Sequence, residues 1–291
     1  MRARATPLPT WARPTPSSTR PSSASEEAPV TPDLTLSRLS GGPESPHLLV
    51  VGPSLGTSVA ALWGACAALL GDRFEVVGWD LPGHGSSPAA EAPFSVAELT
   101  DVVRDRASGL AGGRPAAYAG VSLGGVIGFE LAADPGPFTA VVTIASEPRI
   151  GEPAAWRERA ALVRRAGTSV MVSSSAARWF APGFIDEHPE GAAALLTSLS
   201  HADPRSYAWA CEALADLDRA VGTPRPLVPL LVLAGEHDVV VPPADAEAAR
   251  SSLPGAGLGV LAACGHLPPA EDPVATAAAA AGFLIGQEAT R

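Results

Sequence analysis

The sequence predicts an α/β fold: an open, mostly parallel sheet, doubly wound with helices and carrying one all-helical insertion. Three observations predict it. Short apolar runs rich in Val, Leu and Ala alternate with longer helix-like stretches, as strands buried on both faces by crossover helices do. Between one such run and the next helix stands Gly120-Val121-Ser122-Leu123-Gly124. That spacing marks a sharp strand-to-helix turn exposing a serine at the top of a sheet. From about 152 to 223 the strand-like text stops and only helical stretches remain. A chain of 291 residues is long enough for one large domain with such an insertion.

Residues 1–32 are rich in Pro, Ser, Thr and Arg. They have no apolar central stretch, so they do not read as a signal peptide and are expected to form a disordered extension. Strands are expected at 47–51, 74–79, 116–120, 139–145, 227–233 and 257–261, each a short apolar run. Helices at 58–70, 96–110, 123–133, 244–253 and 274–285 separate them, and right-handed crossovers put these on both faces of the sheet. Four further helical stretches, 154–166, 170–179, 189–199 and 207–217, follow one another without a strand. They make 151–223 a cap over the C-terminal edge of the sheet, where open α/β sheets bind ligands. Residues 33–150 and 224–291 then form the core.

Composition narrows the function. With 46% apolar residues the chain as a whole is not disordered. A formal net charge of −10 argues against nucleic acid and anionic membranes as partners, and no run of about eighteen apolar residues marks a transmembrane helix. All 20 basic residues are arginine, which beside the abundant alanine reads as codon bias. Cys66, Cys211 and Cys264 are scattered and lack metal-ligand or Cys-x-x-Cys spacing; free thiols in a reducing cytoplasm are expected.

Ser122 follows an apolar run and opens the helix-like Leu123-Gly124-Gly125-Val126-Ile127, the context of a nucleophile elbow. Gly52-Pro53-Ser54-Leu55-Gly56 matches the same pattern. Residues 52–56, however, fall in the loop two strands earlier, where an oxyanion-hole N–H should arise, so Ser122 is favoured over Ser54. A serine hydroxyl needs a base to take its proton and a carboxylate to orient that base. On a sheet of this kind the acid and then the histidine follow the nucleophile in the chain. His266, in Cys264-Gly265-His266-Leu267 after the last strand, is the candidate base; His188 and His201 fall in the cap and His237 lies beside an acid. Asp238, just past the strand ending in Leu233-Ala234-Gly235, is the favoured acid, with Glu236 and Glu147 as rivals. The oxyanion hole is expected from the backbone N–H groups of Leu123 and Leu55, since Pro53 has none to offer. His84, inside Leu81-Pro82-Gly83-His84-Gly85, reads as part of a turn.

At this point the chain resembles the α/β-hydrolase superfamily, through Ser54-Leu55-Gly56-Thr57-Ser58, Trp63, Asp80-Leu81-Pro82-Gly83-His84-Gly85-Ser86 and Gly120-Val121-Ser122-Leu123-Gly124-Gly125. More narrowly it is similar to 3-oxoadipate enol-lactonases. That likeness lies in Arg149-Ile150-Gly151, Trp156, Arg178-Trp179-Phe180-Ala181-Pro182-Gly183-Phe184, His188-Pro189-Glu190 and Asp203-Pro204 with Tyr207, Cys211 and Glu212. Pro53, where relatives often carry His or Asn, and Leu81-Pro82, where x-Arg is usual, depart from the pattern outside the triad. The resemblance implies a small anionic lactone opened to 3-oxoadipate with no metal or organic cofactor, and Trp156 and Trp179 in the substrate pocket. An anion entering a chain of charge −10 needs a local cation. Arg149, just past the strand 139–145, is the candidate, its guanidinium suited to a carboxylate. A carboxylesterase or cofactor-free perhydrolase on the same scaffold is the alternative; a non-catalytic binding protein fits less well with all three triad residue types in order.

Overall fold

The computed structural model describes residues 31–217 and 225–287. All but the last two residues of the expected N-terminal extension, and the end of the expected cap, lie outside them. The described strands are β1 (Leu36–Ser40), β2 (His47–Gly52), β3 (Phe74–Trp79), β4 (Ala116–Val121), β5 (Phe138–Ile144), β6 (Leu230–Gly235) and β7 (Gly257–Leu261). They form one sheet in the order β1-β3-β2-β4-β5-β6-β7. All neighbours pair parallel except β1 with β3.

This order explains where a site can form. From β2 the chain moves outward to β3, then returns past β2 to β4 and continues the other way. The switch point therefore lies between β2 and β4, where connections leave in opposite directions and open a crevice at the strand C-termini. The 52–57 loop follows β2 and Ser122 follows β4, so both border that crevice.

Helices α1 (Val59–Leu70), α2 (Val96–Ala111) and α3 (Leu123–Ala133) alternate with the first strands. The α1 helix packs against the C-terminal α11 (Pro273–Gly286), and α2 against α3. The N-terminus of α2 carries a capping box: the Ser95 hydroxyl accepts from Glu98 N–H, and Glu98 accepts from Ser95 N–H at 2.7 Å. Such a cap contributes about 1 kcal/mol. Two buried aromatics anchor the strand ends facing the crevice. Trp63 Nε1–H donates to Gly52 O at 2.9 Å, and the Tyr118 hydroxyl donates to Gly124 O at 2.8 Å.

Between β5 and β6 the described chain is helical: α4 (Pro153–Ala166), a 3₁₀ turn (Thr168–Met171), α5 (Val172–Trp179), α6 (Phe184–Glu187), α7 (Pro189–His201) and α8 (Pro204–Ala215). This is the cap. It rests on the loops at the sheet's C-terminal edge. A Cβ on Gly83 would stand 2.6 Å from Ser206, and one on Gly265 would stand 2.7 Å from Ala181 N. After the cap come α9 (Pro243–Ser251) and α10 (Pro268–Glu271).

Three differences from the sequence expectation have physical causes. The edge strand β1 is not foreseen, because Leu-Ser-Arg-Leu-Ser has no apolar run. Its pairing with β3 and the Arg38–Glu75 ion pair across that edge create it. The sixth strand starts at Leu230 rather than 227, because Leu230 is the first residue in register with β5, opposite Val141. Leu227 is 72% exposed. Finally, α8 begins three residues earlier than expected. Asp203 caps it, accepting from Ser206 N–H at 2.8 Å, and Pro204 occupies the first turn, where its missing N–H is harmless.

Candidate active site

Ser122 sits between β4 and α3 at φ 54° and ψ −115°. A non-glycine residue there is strained, on the order of 1–3 kcal/mol. The surroundings enforce the conformation. Ser122 N–H donates to Ile144 O at 2.9 Å, and the Ser146 hydroxyl donates to Ser122 O at 2.8 Å. The flanking glycines are steric requirements: a Cβ on Gly120 would stand 2.1 Å from Gly124 O, and one on Gly124 2.7 Å from Pro53 O. Ser54 lies in a tight turn instead, its carbonyl accepting from both Thr57 N–H (3.1 Å) and the Thr57 hydroxyl (2.9 Å).

Asp238 and His266 meet. His266 Nδ1 and Asp238 Oδ2 are 2.9 Å apart, with both side chains buried. The other oxygen, Oδ1, accepts from Val240 N–H (2.7 Å) and Val241 N–H (3.1 Å), which fixes the carboxylate. The tautomer that satisfies the pair has its proton on Nδ1, leaving Nε2 to accept one. Close backbone approach holds the histidine loop down, since a Cβ on Gly235 would stand 1.9 Å from Gly265 O. The rival acids lie elsewhere. Glu236 is exposed and accepts from Ala263 N–H at 3.2 Å, while Glu147 lines a cavity with Arg149. Of the other histidines, His237 is exposed near Glu236 and His188 packs on Phe184. His84 is buried, stacks on Tyr207 and holds Pro82 O through Nδ1 at 2.9 Å. Burial drives its pKa down, against the opposing pull of Pro82 O, Asp80 and Asp203.

Among the described residues the Ser122 hydroxyl has no hydrogen-bond partner. Ser122 follows β4 and Asp238 follows β6, two strand spacings away, about 9.5 Å, while His266 comes from the loop after β7. Hydrogen bonds between a nucleophile and its base often tighten only around bound substrate.

Leu123 is the first residue of α3, and its N–H has no intrahelical partner. Neither its N–H nor that of Leu55 is committed to a hydrogen bond among the described residues. The two segments are stitched together by Gly124 N–H donating to Pro53 O at 3.0 Å. Two free donors beside a helix N-terminus suit a developing oxyanion.

The cap closes over this edge. Trp179 O accepts from His266 N–H at 2.8 Å, and the Trp179 ring and Tyr207 each lie 3.4 Å from where a Gly56 Cβ would stand. Trp179 thus reaches the site from the cap. Trp156 is held by its Nε1–H donating to Ile150 O at 2.6 Å. Arg149 lines an open cavity with Glu147, Glu152, Asp245 and Ser252, which none of Ser122, Asp238 and His266 lines, and its buried Nη1 has no hydrogen-bond partner among the described residues. Among the described residues no cluster of three His, Cys, Asp or Glu side chains could hold a metal ion. The three cysteines are buried and free, each thiol pushed up to about 12 by desolvation.

Residues 45–279 match the alpha/beta hydrolase family. The chain is an α/β-hydrolase. It is 34% identical over 247 residues to 3-oxoadipate enol-lactonase 2 of Acinetobacter baylyi, covering 84% of this chain and 90% of that protein. It is 30% identical over 214 residues to 3-oxoadipate enol-lactonase 1 of the same organism, covering 73% and 79%. The solved enol-lactonase of Burkholderia xenovorans LB400 superposes with a TM-score of 0.79 at 29% identity, over 87% of this chain and 96% of that one. No helix of the described residues is long and apolar enough to cross a membrane.

In this hydrolase one site residue is invisible to motif reading. Glu271, at the end of α10, accepts from Gly265 N–H and Leu267 N–H, both at 3.0 Å, and from Ala181 N–H of the cap at 2.6 Å. One carboxylate thus grips the chain on both sides of His266 and ties it to the cap. Burial raises its pKa, and the three donors oppose that rise. The only trace in the sequence is an acid five positions after His266 on a Pro-Pro start. Glu271→Ala strands three N–H groups, so roughly 1–3 kcal/mol of stability should be lost in urea unfolding. It should also lower kcat at least tenfold while KM changes little. A lower midpoint with kcat intact would make Glu271 a fold residue alone.

Proposed function

We propose that this hydrolase opens 3-oxoadipate enol-lactone to 3-oxoadipate with a Ser122–His266–Asp238 triad. The observation that carries the chemistry is the buried 2.9 Å pair of His266 Nδ1 and Asp238 Oδ2 on the same sheet edge as strained Ser122. The substrate choice is supported by the two A. baylyi enol-lactonases. Ser122 Oγ attacks the ring ester carbonyl while His266 Nε2 takes its proton, and Asp238 stabilises the imidazolium that forms. The oxyanion is held by the Leu55 and Leu123 N–H groups. The ring C–O bond breaks and His266 returns the proton to the departing enol oxygen. That enol stays tethered in the acyl group and tautomerises to the ketone. Water then attacks the acyl-enzyme as His266 takes its proton; collapse frees the carboxylate and restores Ser122. Trp179 bounds the pocket from the cap, Trp156 is a further candidate for its wall, and Arg149 is one candidate cation for the lactone's free carboxylate. Three buried free thiols favour a reducing cytoplasm as its compartment.

Purified protein assayed on the enol-lactone and on neutral aryl esters tests this reading. The lactone is expected to have the higher kcat/KM by at least tenfold. Preference for the neutral esters would replace the lactonase reading with a carboxylesterase.

A further inference from the structure

Two of the described cap arginines, Arg159 and Arg178, are half-buried, whereas Arg157, Arg164, Arg165 and Arg205 are exposed. On α4, Arg157 pairs with Asp216 and Arg164 with Glu212 of α8. Arg159, on the same helix, has no ion pair among the described residues, and neither has Arg178 on α5. The two sit close enough to perturb each other. Burial first, and then the Arg159 charge, lowers the Arg178 pKa, with Tyr207 as the one opposing group. Arg159 lies over the Trp156 ring at 4.6 Å and beside the Tyr207 hydroxyl. Among the described residues Arg178 spends only Nε, donating to Ser174 O at 2.9 Å, and neither terminal nitrogen has a partner there.

This pair borders the catalytic crevice. Tyr207, against Arg159, and Trp179, next after Arg178, each lie 3.4 Å from where a Cβ on Gly56, the residue after Leu55, would stand. Trp179 O also holds His266 N–H. Two half-buried cations with no anion between them repel each other; a bound carboxylate relieves that repulsion and is gripped by planar forks built for it. In a chain of net charge −10, they offset a long-range field that disfavours anionic ligands.

We infer that Arg159 and Arg178, rather than Arg149, form the cap subsite that binds the free carboxylate of an anionic ester or lactone. This rests on reading Ser122 as the nucleophile that the ester faces. The subsite selects substrates carrying a carboxylate at the end remote from the scissile bond, and it accounts for stacked Trp156 as the platform under Arg159.

Two measurements on the full chain test it. Calorimetry with adipate as probe reads the subsite without catalysis. Arg159→Met and Arg178→Met should each weaken binding by about 10- to 100-fold, the loss of one charge-assisted contact, and Arg178→Lys should recover part of it. Kinetics with p-nitrophenyl acetate and the mono-p-nitrophenyl ester of succinate read selectivity. The ratio of kcat/KM for the anionic over the neutral ester should fall by a similar factor in each variant, with Tm within a few degrees of the parent. Unchanged adipate binding and an unchanged ratio would overturn the inference, as would a selective loss in Arg149→Met alone. If adipate binding depends on the pair but neither ester is cleaved, the subsite stands and the catalytic reading fails.

Discussion

Replacing Ser122 by alanine is expected to lower kcat by about six orders of magnitude, the effect of removing the nucleophile from a unit in which base and acid then have nothing to activate. The substitution is clean. Alanine carries the same Cβ at φ 54°, so the elbow's strain stays and Tm should hardly move. Glycine at the same position would remove that strain and stabilise the fold by roughly 1 kcal/mol while being just as inactive. Ser54→Ala, in the turn that offers only backbone donors, should keep most of the activity. Steady-state kinetics on an aryl ester and peptide mapping after fluorophosphonate labelling decide the matter. A label on a peptide without Ser122, or substantial turnover by Ser122→Ala, would remove this serine from the mechanism.

Asp238→Asn is expected to lower kcat by about four orders of magnitude, and the hydrogen bonds explain why. Oδ1 accepts from two backbone N–H groups, of Val240 and Val241. The asparagine oxygen must stay there, since an NH₂ facing two N–H donors has no partner. Its NH₂ then faces His266 Nδ1, which must accept and so loses its proton to Nε2. The histidine keeps its place but presents an N–H to Ser122 where a lone pair is needed. Activity measurements across pH would find no range in which the neutral variant recovers. Glu236→Gln, at an exposed carboxylate, should be nearly silent. A mild Asp238→Asn beside a crippling Glu236→Gln or Glu147→Gln would reassign the acid.

Much of this is legible in the sequence. The apolar runs marked six of the described strands, and helical text marked the cap, because burial on two faces and the helix period leave local patterns. The glycines around Ser122 were legible because a sharp elbow admits no Cβ at Gly120 and Gly124. Chain order together with position just past a strand end favoured Asp238 over Glu236 and Glu147, and the loop after the last strand favoured His266.

Other features are decided only where distant segments meet. Strand β1 exists because β3 offers it an edge, and the frame of β6 follows its register with β5 rather than its own apolar run. Asp238 and His266 are 28 positions apart and become a pair only through the packing of the loops after β6 and β7. Glu271 has no motif, yet it holds Gly265, Leu267 and Ala181 at once. The sequence shows twenty arginines of one kind; tertiary structure pairs Arg157 with Asp216 and Arg164 with Glu212, and leaves Arg159 and Arg178 half-buried without an ion pair among the described residues. Local sequence sets where the chain can bend, extend or coil, whereas charge pairing and hydrogen-bond partners depend on which side chains the finished fold brings within reach.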